Sequence, residues 1–139
     1  MAKGASISGF PEWLPSERVV EQRVIDTLRK VFELNGFIGI ETRAVETGAS
    51  LLKKGETSKE IYLLSRLQEV GHESDTPIEE RLGLHFDLTV PLSRYVVEHS
   101  GALAFPFKRW QIQKVWRGER PQEGRFREFV QADIDVIGN

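Results

Sequence analysis

An arginine-rich segment, residues 117–128 with the sequence RGERPQEGRFRE, holds the side chains best suited to chemistry. From Lys114 to Glu128 there are five positive and three negative residues, in a chain whose formal net charge is −2. Four of the positive residues are arginines (Arg117, Arg120, Arg125 and Arg127). The planar guanidinium group fits phosphate and carboxylate oxygens better than a lysine does, and Phe126 offers a ring for stacking. The segment predicts an anion-binding loop; the alternative is a flexible charged loop tip.

Two strand patterns flank this loop and must position it. Apolar and polar residues alternate from 109 to 117 and again from 129 to 137, so Gln131 and Asp135 lie on one face of the second strand. Two strands joined by about ten residues pair antiparallel. We expect their apolar faces to share a core and their other faces to form a binding floor of glutamine, aspartate and arginine. The alternative is that the polar face is the solvated side of a half-exposed sheet.

The rest of the chain mixes helices and strands without a regular βαβ order. Residues 16–34 repeat apolar side chains at three- and four-residue steps, which predicts a long helix that ends at Asn35-Gly36. Residues 90–99 predict a second helix, with Pro91 in its first turn. Strands are expected at 37–45, 61–67 and 82–88, a loop with one helical turn at 47–59, and an exposed hairpin loop at 68–80. This pattern favours an α+β fold, an antiparallel β-sheet with flanking helices.

Length and composition exclude several classes of protein. A chain of 139 residues, 40% hydrophobic and 29% charged, is typical of one folded domain rather than a disordered polyelectrolyte or a globally basic nucleic-acid binder. It has no cysteine, which removes disulfides and thiolate chemistry and fits a cytoplasmic location. We expect no membrane span and no targeting segment. The three histidines show no metal-ligand spacing, so no metal site built from protein ligands alone is expected.

Three stretches of the sequence resemble one family. Residues 116–138, WRGERPQEGRFREFVQADIDVIG, resemble motif 2 of class II aminoacyl-tRNA synthetases in the form found in histidyl-tRNA synthetases. Residues 85–96, HFDLTVPLSRYV, resemble the first histidine-binding segment of that family, and residues 16–46 resemble motif 1. The resemblance implies a partial class II catalytic domain over 1–139, with motif 2 at about 107–138. Motif 3 and the anticodon-binding domain are absent, and we interpret the sequence as a fragment.

The resemblance also implies an activity. The family uses ATP, with Mg²⁺ accompanying it, to activate L-histidine to histidyl-adenylate, which is then transferred to tRNA(His). Matched to the motifs, Arg117 would be the catalytic residue, bridging the histidine carboxylate and the α-phosphate. Glu119 would meet the adenine or the magnesium-bound surroundings of ATP. Arg125 would bind the γ-phosphate end, and Phe126 would stack on adenine.

For the amino acid, the matched positions are Asp87, Thr89 and Gln131, which would hold the α-ammonium group. One carboxylate and two neutral acceptors suit a cation with three donors. Asp135 would accept a hydrogen bond from the imidazole, which distinguishes histidine from apolar side chains. The family acts as a homodimer through motif 1, so the long helix and the strand after it are the expected interface.

The sequence departs from the family at several positions. Arg43 stands where motif 1 carries proline, Asp87 and Asp135 stand where many bacterial members have glutamate, and Phe126 replaces a tyrosine. A non-catalytic relative is the alternative function: a histidyl-synthetase-like regulatory subunit of ATP phosphoribosyltransferase or a histidine-sensing module. The presence of all four ATP-matched residues argues against it. A structural scaffold with a charged hairpin is the third interpretation.

Overall fold

The computed structural model describes residues 4–55, 59–72 and 74–139. Parts of the predicted loops, 56–58 and residue 73, lie outside the described residues, as do residues 1–3. In the described part, the helices and strands in chain order are α1 (Pro15–Leu34), β1 (Ile38–Gly39), β2 (Val45–Thr47), α2 (Gly48–Leu52), β3 (Leu82–Leu84), α3 (Thr89–His99), β4 (Phe107–Trp116) and β5 (Glu128–Ile137). Short 3₁₀ turns occupy Leu67–Glu69, Ile78–Glu80 and Ser100–Ala102. The mixed α+β class is confirmed.

The β4–β5 hairpin is the main structural element. The strands pair antiparallel from Phe107↔Ile137 to Trp116↔Glu128, which confirms the predicted pairing. Strand β1 joins the other edge of β4 but runs parallel to it, with Ile38 opposite Arg109. This departs from the expected antiparallel sheet. The chain between β1 and β4 is long enough to return on the same side, as a parallel pair requires.

The other strand predictions are only partly right. The predicted strand at 37–45 is divided into β1 and β2. Between them, the backbone N–H and carbonyl of Thr42 hydrogen-bond the Gln113 side chain instead of the backbone of a neighbouring strand. The predicted strand at 61–67 is wrong: Leu63 forms a single bridge to Gly83, and a 3₁₀ turn follows. The predicted strand at 82–88 ends at Leu84, where the chain leaves the two-stranded β2–β3 sheet. His85 then bonds Ala44 and Trp116 through its backbone.

Both long helices agree with the sequence pattern, and their ends have local causes. The Glu17 carboxylate accepts from the Leu14 N–H at 3.1 Å, which satisfies a donor at the start of α1. Gly36, with φ of +81°, allows the chain to turn away after the helix. At α3, the Asp87 carboxylate accepts from the Val90 N–H at 3.2 Å and so binds a free donor of the first turn. None of the described helices is long and apolar enough to cross a membrane.

The core lies on the face of β4 that was expected to be a polar floor. Arg109, Gln111 and Val115 on that face are completely buried. The prediction that the apolar faces of the hairpin share a core is wrong, since Ile134 and Val136 of β5 are 45% and 56% exposed. Helix α1 lies over this apolar face but leaves a cleft of about 960 Å³ between them. The solvated-face alternative is wrong for β4, whose polar face is buried, whereas Asp135 on the same face of β5 remains 47% exposed.

Candidate active site

A cavity of about 310 Å³ opens beside the arginine-rich loop. Its lining includes all four residues that the resemblance assigned to ATP: Arg117, Glu119, Arg125 and Phe126. Arg120, Phe129 and Glu60 complete its charged and aromatic walls. We refer to this space as the loop cavity. It brings guanidinium groups and aromatic rings together, as an anion attached to a flat ring system requires.

Arg117 is held in place where β4 ends. Its backbone N–H donates to the Arg127 carbonyl at 2.8 Å, which closes the base of the loop. Its side-chain Nε donates to the Phe86 carbonyl at 3.0 Å, and its Cζ lies 5.0 Å from the centre of the Phe129 ring. The Nε bond uses one of five guanidinium donors, and the two terminal amino groups carry the other four. A pre-positioned cation with these donors can bind two neighbouring oxygens of an anion.

The rest of the loop is more exposed. Arg125 and Gln122 exchange backbone hydrogen bonds of 2.9 and 3.2 Å around Gly124, whose φ of +74° permits this tight turn. The Phe126 ring packs edge-on against Trp13, with 6.1 Å between ring centres. Phe126 therefore forms part of both the loop cavity and the wide cleft under α1.

Glu60 is a residue of the loop cavity that the sequence analysis missed. Its carbonyl accepts from the Gly118 N–H at 2.8 Å, and its carboxyl group hydrogen-bonds that of Glu119. The bond to Glu119 raises the pKa of Glu60, burial and the negative charge of Glu119 add to this, and Arg117 opposes it. No motif or spacing in the sequence links position 60 to position 119.

Asp87 lies under this region and is 3% exposed. Besides the Val90 N–H, its carboxylate pairs with Lys54, a partner that sequence analysis did not identify. It is close enough to contribute to the electrostatics of Glu60. Thr89 is exposed and lines a different groove, of about 450 Å³, between α2 and α3 with Lys53 and Lys54. The structure therefore brings Asp87 close to the loop cavity but sets Thr89 to one side.

Gln131 and Asp135 lie on the same face of β5 as Phe129, so their strand positions agree with the alternation. Gln131 Nε2 donates to Asp133 Oδ2 at 2.9 Å, while its Oε1 is buried without a hydrogen-bond partner among the described residues. Asp135 lies four residues farther along, about 13 Å by strand geometry. Its carboxylate is 2.7 Å from Nη2 of Arg109 on the neighbouring strand. Arg109 was expected only as part of the polar floor.

The sequence and the fold of the chain were compared with those of known proteins. No protein-family profile matches the chain. The chain is 93% identical over 139 residues to a histidine–tRNA ligase of Bifidobacterium animalis and 65% identical over 146 residues to one of Micrococcus luteus. It covers 30% and 32% of the length of these relatives. A crystal structure of histidyl-tRNA synthetase from Nostoc matches 99% of the chain and 29% of its own, with 44% identity and a TM-score of 0.80.

The chain matches one segment of histidyl-tRNA synthetases. The chain spans about 30% of the length of the curated relatives it matches. A Bacillus halodurans protein described as an ATP phosphoribosyltransferase regulatory subunit/histidyl-tRNA synthetase shares the fold, with a TM-score of 0.77 at 21% identity over 97% of the chain and 32% of its own. That similarity shows the fold alone. The high-identity relatives are named as ligases, so the regulatory alternative is not favoured.

Proposed function

We propose that this segment supplies the motif 2 side of a histidine–tRNA ligase active site, which activates L-histidine with ATP and transfers it to tRNA(His). The observation that carries the proposal is the loop cavity, where Arg117, Glu119, Arg125 and Phe126 meet. Their convergence around one space of about 310 Å³ is hard to account for in a scaffold with a charged loop tip.

In this mechanism the histidine carboxylate attacks the α-phosphate and pyrophosphate leaves, so the protein needs no covalent nucleophile. Its task is to hold two anions together and neutralise charge that builds at phosphorus. Arg117 bridges the two reacting groups, and its bond to the Phe86 carbonyl supports this role by limiting its movement. Arg125 binds the γ-phosphate end, Phe126 stacks on adenine, and Glu119 faces the adenine side.

Magnesium enters with ATP as part of the substrate. Within 4–55, 59–72 and 74–139 no cluster of three or more acidic or histidine side chains could hold a metal ion. The loop cavity offers the carboxyl groups of Glu60 and Glu119. Most ligands of the ion would therefore be phosphate oxygens and water, which is the usual way that proteins bind Mg²⁺ with a nucleotide.

Histidine lies beside Arg117 along the polar face of β5. Oε1 of Gln131, which has no hydrogen-bond partner among the described residues, supports a role as an acceptor for the α-ammonium group, together with Asp87. Asp135 receives the imidazole N–H. Since Asp87 is paired with Lys54, binding of the ammonium group requires the lysine to share or release that carboxylate.

The active protein is proposed to be a cytoplasmic homodimer that assembles through α1 and the strand after it. Helix α1 has no buried residue, and Val20 and Val24 are 58% and 55% exposed. A second subunit covering this apolar surface would remove it from water, which favours association.

The test is histidine-dependent exchange of pyrophosphate into ATP. This segment is placed in the Bifidobacterium animalis ligase in exchange for the residues it matches, and the resulting chimera is assayed with histidine and with alanine. We expect exchange with histidine and none with alanine. A folded chimera without exchange would contradict the proposed function.

A further inference from the structure

Arg109 is a buried charge in the middle of the hairpin. Its side chain is 0% exposed, and it lies directly opposite Asp135 in the β4–β5 register. Nη2 is 2.7 Å from Asp135 Oδ2, and Nη1 donates to the Asp133 carbonyl at 3.3 Å. Nε and Nη2 are buried without a hydrogen-bond partner among the described residues, so the contact of Nη2 with Asp135 is an ion pair. Asp135 is therefore the direct ionic partner of this guanidinium in the described structure.

A guanidinium group in this position has to be compensated. Burial lowers the pKa of Arg109, and the negative charges of Asp135 and then Asp133 oppose that effect. Arginine nevertheless stays protonated in proteins, so its charge requires a carboxylate nearby. Asp135 meets that requirement while its own side chain remains 47% exposed. The pair therefore joins a fixed buried cation to an accessible carboxylate.

We propose that Arg109 is a positioning residue that fixes Asp135 and cancels its charge, so that the imidazole subsite accepts the uncharged histidine side chain. This inference rests on the proposed function. With Oδ2 facing Arg109, Oδ1 of Asp135 remains to accept one N–H from the imidazole ring. An uncompensated carboxylate would instead attract imidazolium, because an opposite charge at this distance stabilises the charged form.

The other charge in this environment is Asp133. Among the described residues, Asp133 and Asp135 are the charged groups that act on Arg109. The Asp133 carboxylate accepts from Gln131 Nε2 at 2.9 Å and lies opposite Gln111 rather than Arg109. Loss of Arg109 would thus leave two carboxylates without a cation on this face of β5. Both would favour a protonated ligand.

The experiment measures kcat and KM for histidine and for ATP from pH 5.5 to 8.5 in the chimera. The variants are R109M, R109K and D135N. The matched control is K108M, which removes a neighbouring positive charge whose Nζ bonds the Asn35 carbonyl at 2.7 Å on the opposite face. Circular dichroism verifies that each variant is folded.

We expect R109M to raise KM for histidine about tenfold, with KM for ATP changed less than about twofold. The acid limb of kcat/KM for histidine should move to lower pH by about one unit, because imidazolium then binds as well. R109K should keep the limb in place, since it retains the charge. K108M should leave both constants unchanged.

If R109M does not fold, D135N tests the same inference from the partner. It should raise KM for histidine while the acid limb stays at or above its original pH, because Arg109 still repels imidazolium. An unchanged KM for histidine in R109M or D135N would overturn the inference. So would an acid limb of kcat/KM that does not move in R109M. In either case, exchange by the unmodified chimera upholds the proposed function. A chimera without exchange would instead overturn the proposed function.

Discussion

Replacement of Arg117 by lysine tests whether the shape of this cation matters beyond its charge. Lysine keeps the positive charge but loses the Nε–H bond to the Phe86 carbonyl, which is 3.0 Å long in this structure. A hydrogen bond to a charged group contributes about 1.5–3 kcal/mol. Loss of one donor to a developing oxyanion costs about 2.7–4 kcal/mol. Taking about 3 kcal/mol for the overlapping effects, kcat/KM should fall roughly 100-fold.

The assay is histidine-dependent pyrophosphate exchange in the chimera, with saturating ATP and varied histidine. Arg66→Lys is the control, because Arg66 is exposed and pairs only locally with Glu69. That variant should keep full activity. An Arg117→Lys enzyme with activity within threefold of the unmodified chimera would refute the reasoning, since an ammonium group would then suffice at this position.

Three further predictions concern stability and are checked by urea unfolding of this chain. Burial lowers the pKa of His85 below its ordinary 6.5, so the unfolded state takes up the proton at a higher pH than the folded state does. The free energy of unfolding should therefore decrease as pH falls below about 6.5, and His85→Gln should weaken this dependence. Glu46→Gln should cost about 3–5 kcal/mol, because the completely buried Glu46 carboxylate holds Arg94 Nε at 2.7 Å; a cost below 1 kcal/mol would contradict this account. The hydrogen bond to Glu119 raises the pKa of Glu60, so the stabilisation from protonated Glu60 is lost as pH rises above 4.5. Glu60→Gln should therefore stabilise the chain more at pH 7 than at pH 4, and equal effects at the two pH values would contradict the raised pKa of Glu60.

The hairpin and helices could be predicted because their signals are local. Alternation over nine residues in each strand predicted which side chains of β4 and β5 share a face, and the β4–β5 register agrees with it. The helix at Pro15–Leu34 combined an apolar repeat with a clear stop at Gly36. The loop residues that line the cavity came from a motif whose resemblance extends over 23 consecutive residues, 116–138.

The sequence did not indicate which face of the hairpin would be buried. Arg109 and Gln111 suggest a solvent-exposed surface, yet both are completely buried because each has a partner that is distant in sequence. Asp135 of β5 pairs with Arg109, and Thr42, between β1 and β2, bonds Gln111. Burial of polar groups depends on such partners. A contact between residues 69 positions apart in the sequence produces no periodic pattern from which it could be predicted. Glu60 was missed for the same reason.

The edge-on contact between Trp13 and Phe126 gives the protein a built-in optical reporter. Their ring centres are 6.1 Å apart, and Phe126 borders the loop cavity while Trp13 stands outside it. A nucleotide that stacked on Phe126, as we propose, and turned its ring would change the surroundings of the Trp13 indole, which is 44% exposed to water. We therefore expect tryptophan emission to follow ligand entry without an attached dye, with Trp13→Phe giving the contribution of the other two tryptophans, Trp110 and Trp116.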